Sequence, residues 1–151
     1  MTVHGSIVQL NISGSGVPKL PVGEARVGEL GLAGDGHDDG VHHGGPTRAV
    51  SLFSLERIRA LAAEGHPIVP GGTGENVTTQ GIDWDEVIPG TRFKLGPECV
   101  IEVTSYAAPC ATIEQNFIDG DFGRMSQKVY PGWARAYAKV LVPGLIRTGE
   151  R

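Results

Sequence analysis

The chain has 151 residues, with 13 lysines and arginines against 17 aspartates and glutamates and a net charge of −4. That balance supplies neither the basic face of a nucleic-acid-binding protein nor a membrane-binding cluster of cations. No apolar run approaches the roughly 18 residues of a membrane span, and the start, Met1-Thr2-Val3-His4-Gly5, has no basic-then-apolar leader. A single domain over residues 1–151, placed in the cytoplasm, is the expectation, and that length buries roughly 70% of the surface an unfolded chain exposes.

Glycine and proline, at 23 and 10 residues, are high for the length and predict many turns between short strands rather than disorder. Residues 6–12 alternate polar and apolar in their latter part and read as a first strand. Gly14-Ser15-Gly16 breaks it, Pro18 and Pro21 keep the next stretch extended, and residues 24–27 read as a short strand. After a polar segment at 34–48, residues 49–53 form a short, mostly buried strand. Ser54 is placed to accept a free backbone N–H as a helix cap. Leu55, Ile58, Leu61 and Ala62 then fall on one face, so a helix is predicted to about Glu64, ending near Gly65 and Pro67.

Pro70-Gly71-Gly72-Thr73-Gly74 is a second glycine-rich loop, leading through Glu75-Asn76 into a strand at Val77. Residues 92–95 and 100–104 alternate around Gly96-Pro97 as a hairpin. Residues 111–117 predict a short helix and 133–142 a strand that alternates large and small side chains. Residues 145–147 predict a short return after Pro143-Gly144. The sum is seven to nine strands with one main helix, a mainly β (α+β), barrel-like domain.

The chemistry is concentrated at residues 34–48, which hold three of the five histidines, three aspartates and an arginine. Nothing there repeats at helix or strand spacing, so burial of an apolar face does not account for it. A ligand or a reaction accounts for it better than a solvated loop, because ordering so much glycine is entropically unfavourable. Gly44 and Gly45 let backbone N–H groups turn inward without a Cβ, and Arg48 offers a fork matched to phosphate or carboxylate. The segment therefore reads first as an anion or cofactor site. A divalent-metal site on His37, Asp39 and His42 is the weaker reading, since adjacent His42 and His43 seldom face one ion.

Cys110 follows Pro109, which restricts the backbone and fits an oriented, reactive thiolate; a small core residue is the alternative. Cys99, at the start of an alternating strand, reads as packing. Glu75 and Asn76 either hydrogen-bond a heterocycle edge or hold loop backbone, and both readings stay open. No dinucleotide fingerprint, phosphate loop, GxSxG or HExxH motif is present.

Five motifs in order then resemble the MOSC domain, the family named for the C-terminal domain of molybdenum-cofactor sulfurases. They are Gly31-Leu32-Ala33-Gly34-Asp35; His42-His43-Gly44-Gly45-Pro46 with Arg48-Ala49-Val50; the run from Gly72 through Glu75-Asn76-Val77 to Gly81; the run from Gly90 to Gly96; and Pro109-Cys110. Each is weak alone, but five in this order make a specific match, and the resemblance covers roughly residues 6–149. The resemblance implies a β-barrel-like fold with one main helix and short peripheral helices. It also implies a site built around one cysteine, here Cys110, working with the molybdenum cofactor (molybdopterin).

On this resemblance Cys110 is the catalytic thiolate, either a persulfide sulfur carrier or the molybdenum ligand, and soft thiolates suit both tasks. His43 orients or protonates groups near the sulfur, while His42, Gly44, Gly45, Arg48, Glu75 and Asn76 line the cofactor pocket. Pyridoxal phosphate is associated with the family only through desulfurase domains, so a sulfur-donor desulfurase or an electron-transfer protein would be a separate partner. The alternatives are a molybdenum-dependent reductase of N-hydroxylated compounds and a non-catalytic module that binds an anion or cofactor.

Overall fold

The structure, a computed structural model, describes residues 5–13, 19–35, 46–109 and 111–150, the side chains of Pro46 and Thr112 excepted. Seven strands form one sheet: β1 (Ser6–Ile12), β2 (Leu20–Val22), β5 (Val50–Ser54), β6 (Val77–Gln80), β7 (Arg92–Leu95), β8 (Cys99–Tyr106) and β9 (Ala136–Val142). Their order is β2-β1-β6-β5-β9-β8-β7. A second sheet joins β10 (Gly144–Arg147), β3 (Glu24–Gly28) and β4 (Gly31–Leu32) in the order β10-β3-β4. The fold is mainly β with one α-helix, α1 (Leu55–Ala63). Among the described residues the sheets are open rather than closed into a barrel, with β2 and β7 at the ends of the larger one.

The centre of the large sheet is a parallel pair, β5 beside β6. Parallel neighbours need a crossover, and α1 followed by the glycine loop supplies it. Ser54 Oγ accepts the Arg57 N–H at 3.2 Å, as its position predicts, and Leu55, Ile58 and Leu61 are buried. Past the cap at Glu64 the chain turns at Gly65, whose φ of 103° favours glycine. β5 is buried along its whole length, and Phe53 meets Trp84 edge-on at 5.9 Å.

β7 and β8 form the predicted hairpin, pairing Leu95 with Cys99 across the turn. Cys99 is fully buried, and burial pushes its thiol from 9.0 up to about 11. It is a core residue and no nucleophile. The predicted helix at 111–117 is a 3-10 helix, Ala111–Asn116.

The expected return at 145–147 does not fold back on β9. Instead β10 pairs antiparallel with β3. The chain crosses the start of β8 at Gly144, where an added Cβ would lie 3.0 Å from the Cys99 backbone nitrogen. A side chain there would crowd the Cys99 backbone, and the strand after it is delivered to the second sheet.

Candidate functional site

The glycine loop is wrapped around a buried carboxylate. Glu75 is fully buried; its Oε2 accepts the Gly71 N–H at 2.9 Å and the Thr78 hydroxyl at 3.0 Å, and its Oε1 accepts the Thr73 hydroxyl at 2.7 Å. The glycines are needed for contact rather than for an open cradle. A Cβ on Gly71 would sit 2.4 Å from Lys19 O, and one on Gly72 would sit 2.4 Å from Asn116 Oδ1. Buried polar groups must find partners, and here the side chain of residue 75 closes the loop that precedes it.

Asn76 extends the network. Its Oδ1 accepts the Ser51 N–H at 3.0 Å and the Ser51 hydroxyl at 3.2 Å. Its Nδ2 donates to Asn11 O at 3.2 Å and to Asp35 Oδ2 at 2.9 Å. Lys19 Nζ reaches the same Asp35 oxygen at 2.6 Å, and Ser13 N–H donates to Asp35 Oδ1 at 3.0 Å. The side chains of Lys19 and Asp35 are 9% and 1% exposed. This ion pair fixes the chain at Asp35, where the polar segment begins, and at Ser13 and Lys19 on either side of residues 14–18.

Arg48 ends a 3-10 helix, Pro46–Arg48, and its guanidinium lies over the Tyr137 ring, 5.6 Å from the centroid. Tyr137 is paired with Ser51 of β5 and Ser105 of β8, so these three side chains share one face of the sheet. Two residues before Tyr137, buried Arg135 donates from Nη1 to Thr73 O at 2.6 Å and from Nη2 to Ala108 O at 3.4 Å. The Ala107 N–H donates back to Arg135 O at 2.8 Å. One side chain thus joins the glycine loop to the segment that runs through Pro109 toward Cys110.

Of the residues singled out in the sequence, Arg48, Glu75 and Asn76 are described. Cys110, His42, His43, Gly44 and Gly45 lie outside the described residues, as do His37 and Asp39. Glu75 and Asn76 direct their side chains to the internal partners above, the loop-holding alternative of the two readings. Among the described residues no three or more His, Cys, Asp or Glu side chains are grouped to hold a metal ion.

Sequence reasoning missed Arg135, Tyr137, Ser51, Lys19 and Asn11 as members of this neighbourhood. A signal existed for two of them. In 133–142 Arg135 shares its parity with Trp133 and Tyr137, while the other parity begins Ala134, Ala136, Ala138, which marks the bulky row as the one that reaches across the sheet.

Residues 39–151 match the family model described as MOSC domain, and the chain belongs to the MOSC domain family. Protein YiiM of Escherichia coli (strain K12) is 30% identical over 138 residues, covering 87% of this chain and 60% of that protein. The chain thus spans about three fifths of the length of that relative. The crystal structure of YiiM from Geobacillus stearothermophilus matches with a TM-score of 0.74 at 22% identity, over 97% of this chain and 73% of that one; the likeness is one of fold. A protein of Gibberella moniliformis (strain M3125 / FGSC 7600) named Reductase is 31% identical over 91 residues, 58% of this chain and 16% of its own length.

Proposed function

We propose that this MOSC protein binds the molybdenum cofactor or carries sulfur destined for it, with Cys110 as the working thiolate. The observation that supports this most is the bridge made by Arg135, which joins the glycine loop to Ala108, two residues from Cys110. The same face carries Arg48 over Tyr137. The carboxylates nearby, Glu75 and Asp35, are already bonded to internal donors. Guanidinium groups, with the nearby described carboxylates committed to internal donors, fit an anionic ligand such as a pterin phosphate.

When bound, the cofactor supplies a redox-active metal with sulfur ligands that a thiolate can join. On this reading Arg48 would hold the anionic end, His43 would orient or protonate groups near the sulfur, and His42 with the Gly44 and Gly45 amides would bind the cofactor. Glu75 and Asn76 serve as the scaffold that fixes the loops. As a sulfur carrier, the Cys110 thiolate attacks the outer sulfur of a donor persulfide. A new S–S bond forms on Cys110, the donor's S–S bond breaks, and the donor leaves as a thiolate. That donor is a separate desulfurase, and the exchange takes place in the cytoplasm.

Partial similarity to the Gibberella protein named Reductase supports a second reading as a reductase; on the family resemblance its substrates would be N-hydroxylated compounds, with electrons from a partner protein. Protein purified from a molybdenum-replete host should contain molybdenum with pterin, or sulfane sulfur. Finding none of the three would remove the proposal. Full cofactor loading without turnover of any N-hydroxylated substrate, electron donor supplied, would remove the second reading alone.

A further inference from the structure

His66 follows the last turn of α1 and its side chain is 9% exposed. Its Nδ1 accepts the backbone N–H of Ile118 at 3.1 Å, so that nitrogen carries no proton and the ring proton sits on Nε2. Nε2 lies 3.5 Å from Glu64 Oε1. The ring also meets Phe117 edge-on, 5.2 Å between centroids, and Ile118 Cδ1 lies 3.0 Å from the position of a Cβ on Gly65. This contact ties α1 to the 3-10 chain between Ala111 and Met125, the stretch that immediately follows Cys110.

The charged groups facing the imidazole are Glu64, at the helix cap, and Arg124, from the 3-10 helix Phe122–Met125. Arg124 grips the Glu64 carboxylate at 3.0 and 2.7 Å. Its hydrogen bond is the main cause holding that carboxyl below its ordinary range, with burial opposing and His66 adding to it. Phe117 and Ile118 contribute an apolar ring and a backbone donor.

Protonation therefore acts unequally on the two sides of the ring. A proton on Nδ1 would face the Ile118 N–H donor to donor, and that bond is lost outright. On the other side the imidazolium gains attraction to a carboxylate already neutralised by Arg124, which draws the ring toward Glu64 and away from Ile118. Histidine is the side chain suited to change charge between pH 5 and 8.

We propose that His66 is a pH-sensitive latch: the neutral imidazole fastens the chain after Cys110 to α1, and the imidazolium releases it. The readout is amide hydrogen exchange at Ile118, corrected for the intrinsic rate. Protection should fall roughly tenfold as acidification protonates the imidazole, the loss of one hydrogen bond. In His66→Asn the carboxamide oxygen can accept the same N–H without titrating, and protection should stay level. Constant protection in the wild type, or an equal fall in His66→Asn, overturns the latch. The wild type alone supplies a second check through the carbon-bound ring protons of His66. Their titration midpoint must coincide with that of the Ile118 protection loss, and separate midpoints overturn the latch even if the variant does not fold.

Discussion

Replacing Glu75 with alanine should destabilise the protein by about 4 kcal/mol, the sum of stranded buried donors and a cavity. Three donors converge on this fully buried carboxylate: the Gly71 N–H and the Thr73 and Thr78 hydroxyls. The two hydroxyls can rotate to new acceptors, but the Gly71 N–H is fixed by a loop packed against Lys19 and Asn11. Glu75→Gln distinguishes the two kinds of donor. With its amide oxygen toward Gly71 and its amide nitrogen toward Thr73, glutamine keeps the rigid bond while the Thr73 hydroxyl turns to accept. That variant should lose only about 1–2 kcal/mol. Urea denaturation measures both, and an alanine variant within about 0.5 kcal/mol of the wild type would contradict the hub role.

The second large effect is expected at Asp35. Asp35→Ala removes the partner of Lys19, whose side chain is 9% exposed, and takes acceptors from Asn76 Nδ2 and Ser13 N–H. Breaking a buried pair by deleting one member leaves an uncompensated charge, a loss of about 3–5 kcal/mol. Lys19→Met should cost less than Asp35→Ala, because Asp35 keeps two donors. The double variant should be more stable than the sum of the singles implies, with a coupling of about 1–3 kcal/mol. Additive losses in a double-mutant cycle would show that the two side chains do not act as one unit.

Much of this architecture is legible in the sequence where the determining contacts are local. Ser54 with the spacing of Leu55, Ile58 and Leu61 gives α1, and Gly96-Pro97 between alternating runs gives the β7–β8 hairpin. The transfer of β10 to β3 is not legible. It takes the chain past β8 at Gly144, a contact between segments that no periodicity encodes.

The site divides in the same way. Glycine content and motif order point to Glu75, Asn76 and Arg48. The Glu75 carboxylate finds its donors within four residues, at Gly71, Thr73 and Thr78, whereas Asn76 is held by partners remote along the chain, Asn11 across 65 positions and Asp35 across 41. A carboxylate after a glycine loop reads equally well as a ligand contact or a loop cap until those partners are seen. Asp35 stood inside a recognised motif without an assigned role, because its counter-ion Lys19 lies across a turn that the motif does not include.

The central claim is that the Cys110 sulfur is where this MOSC protein meets molybdenum or transferable sulfur. Its most direct test compares molybdenum, pterin and sulfane sulfur per chain in the wild type and in Cys110→Ala, purified side by side from a molybdenum-replete host. The expected result is that the variant keeps the wild-type denaturation midpoint and loses the sulfane sulfur, or most of the molybdenum, found in the wild type. Equal contents in the two proteins would contradict the assignment of Cys110.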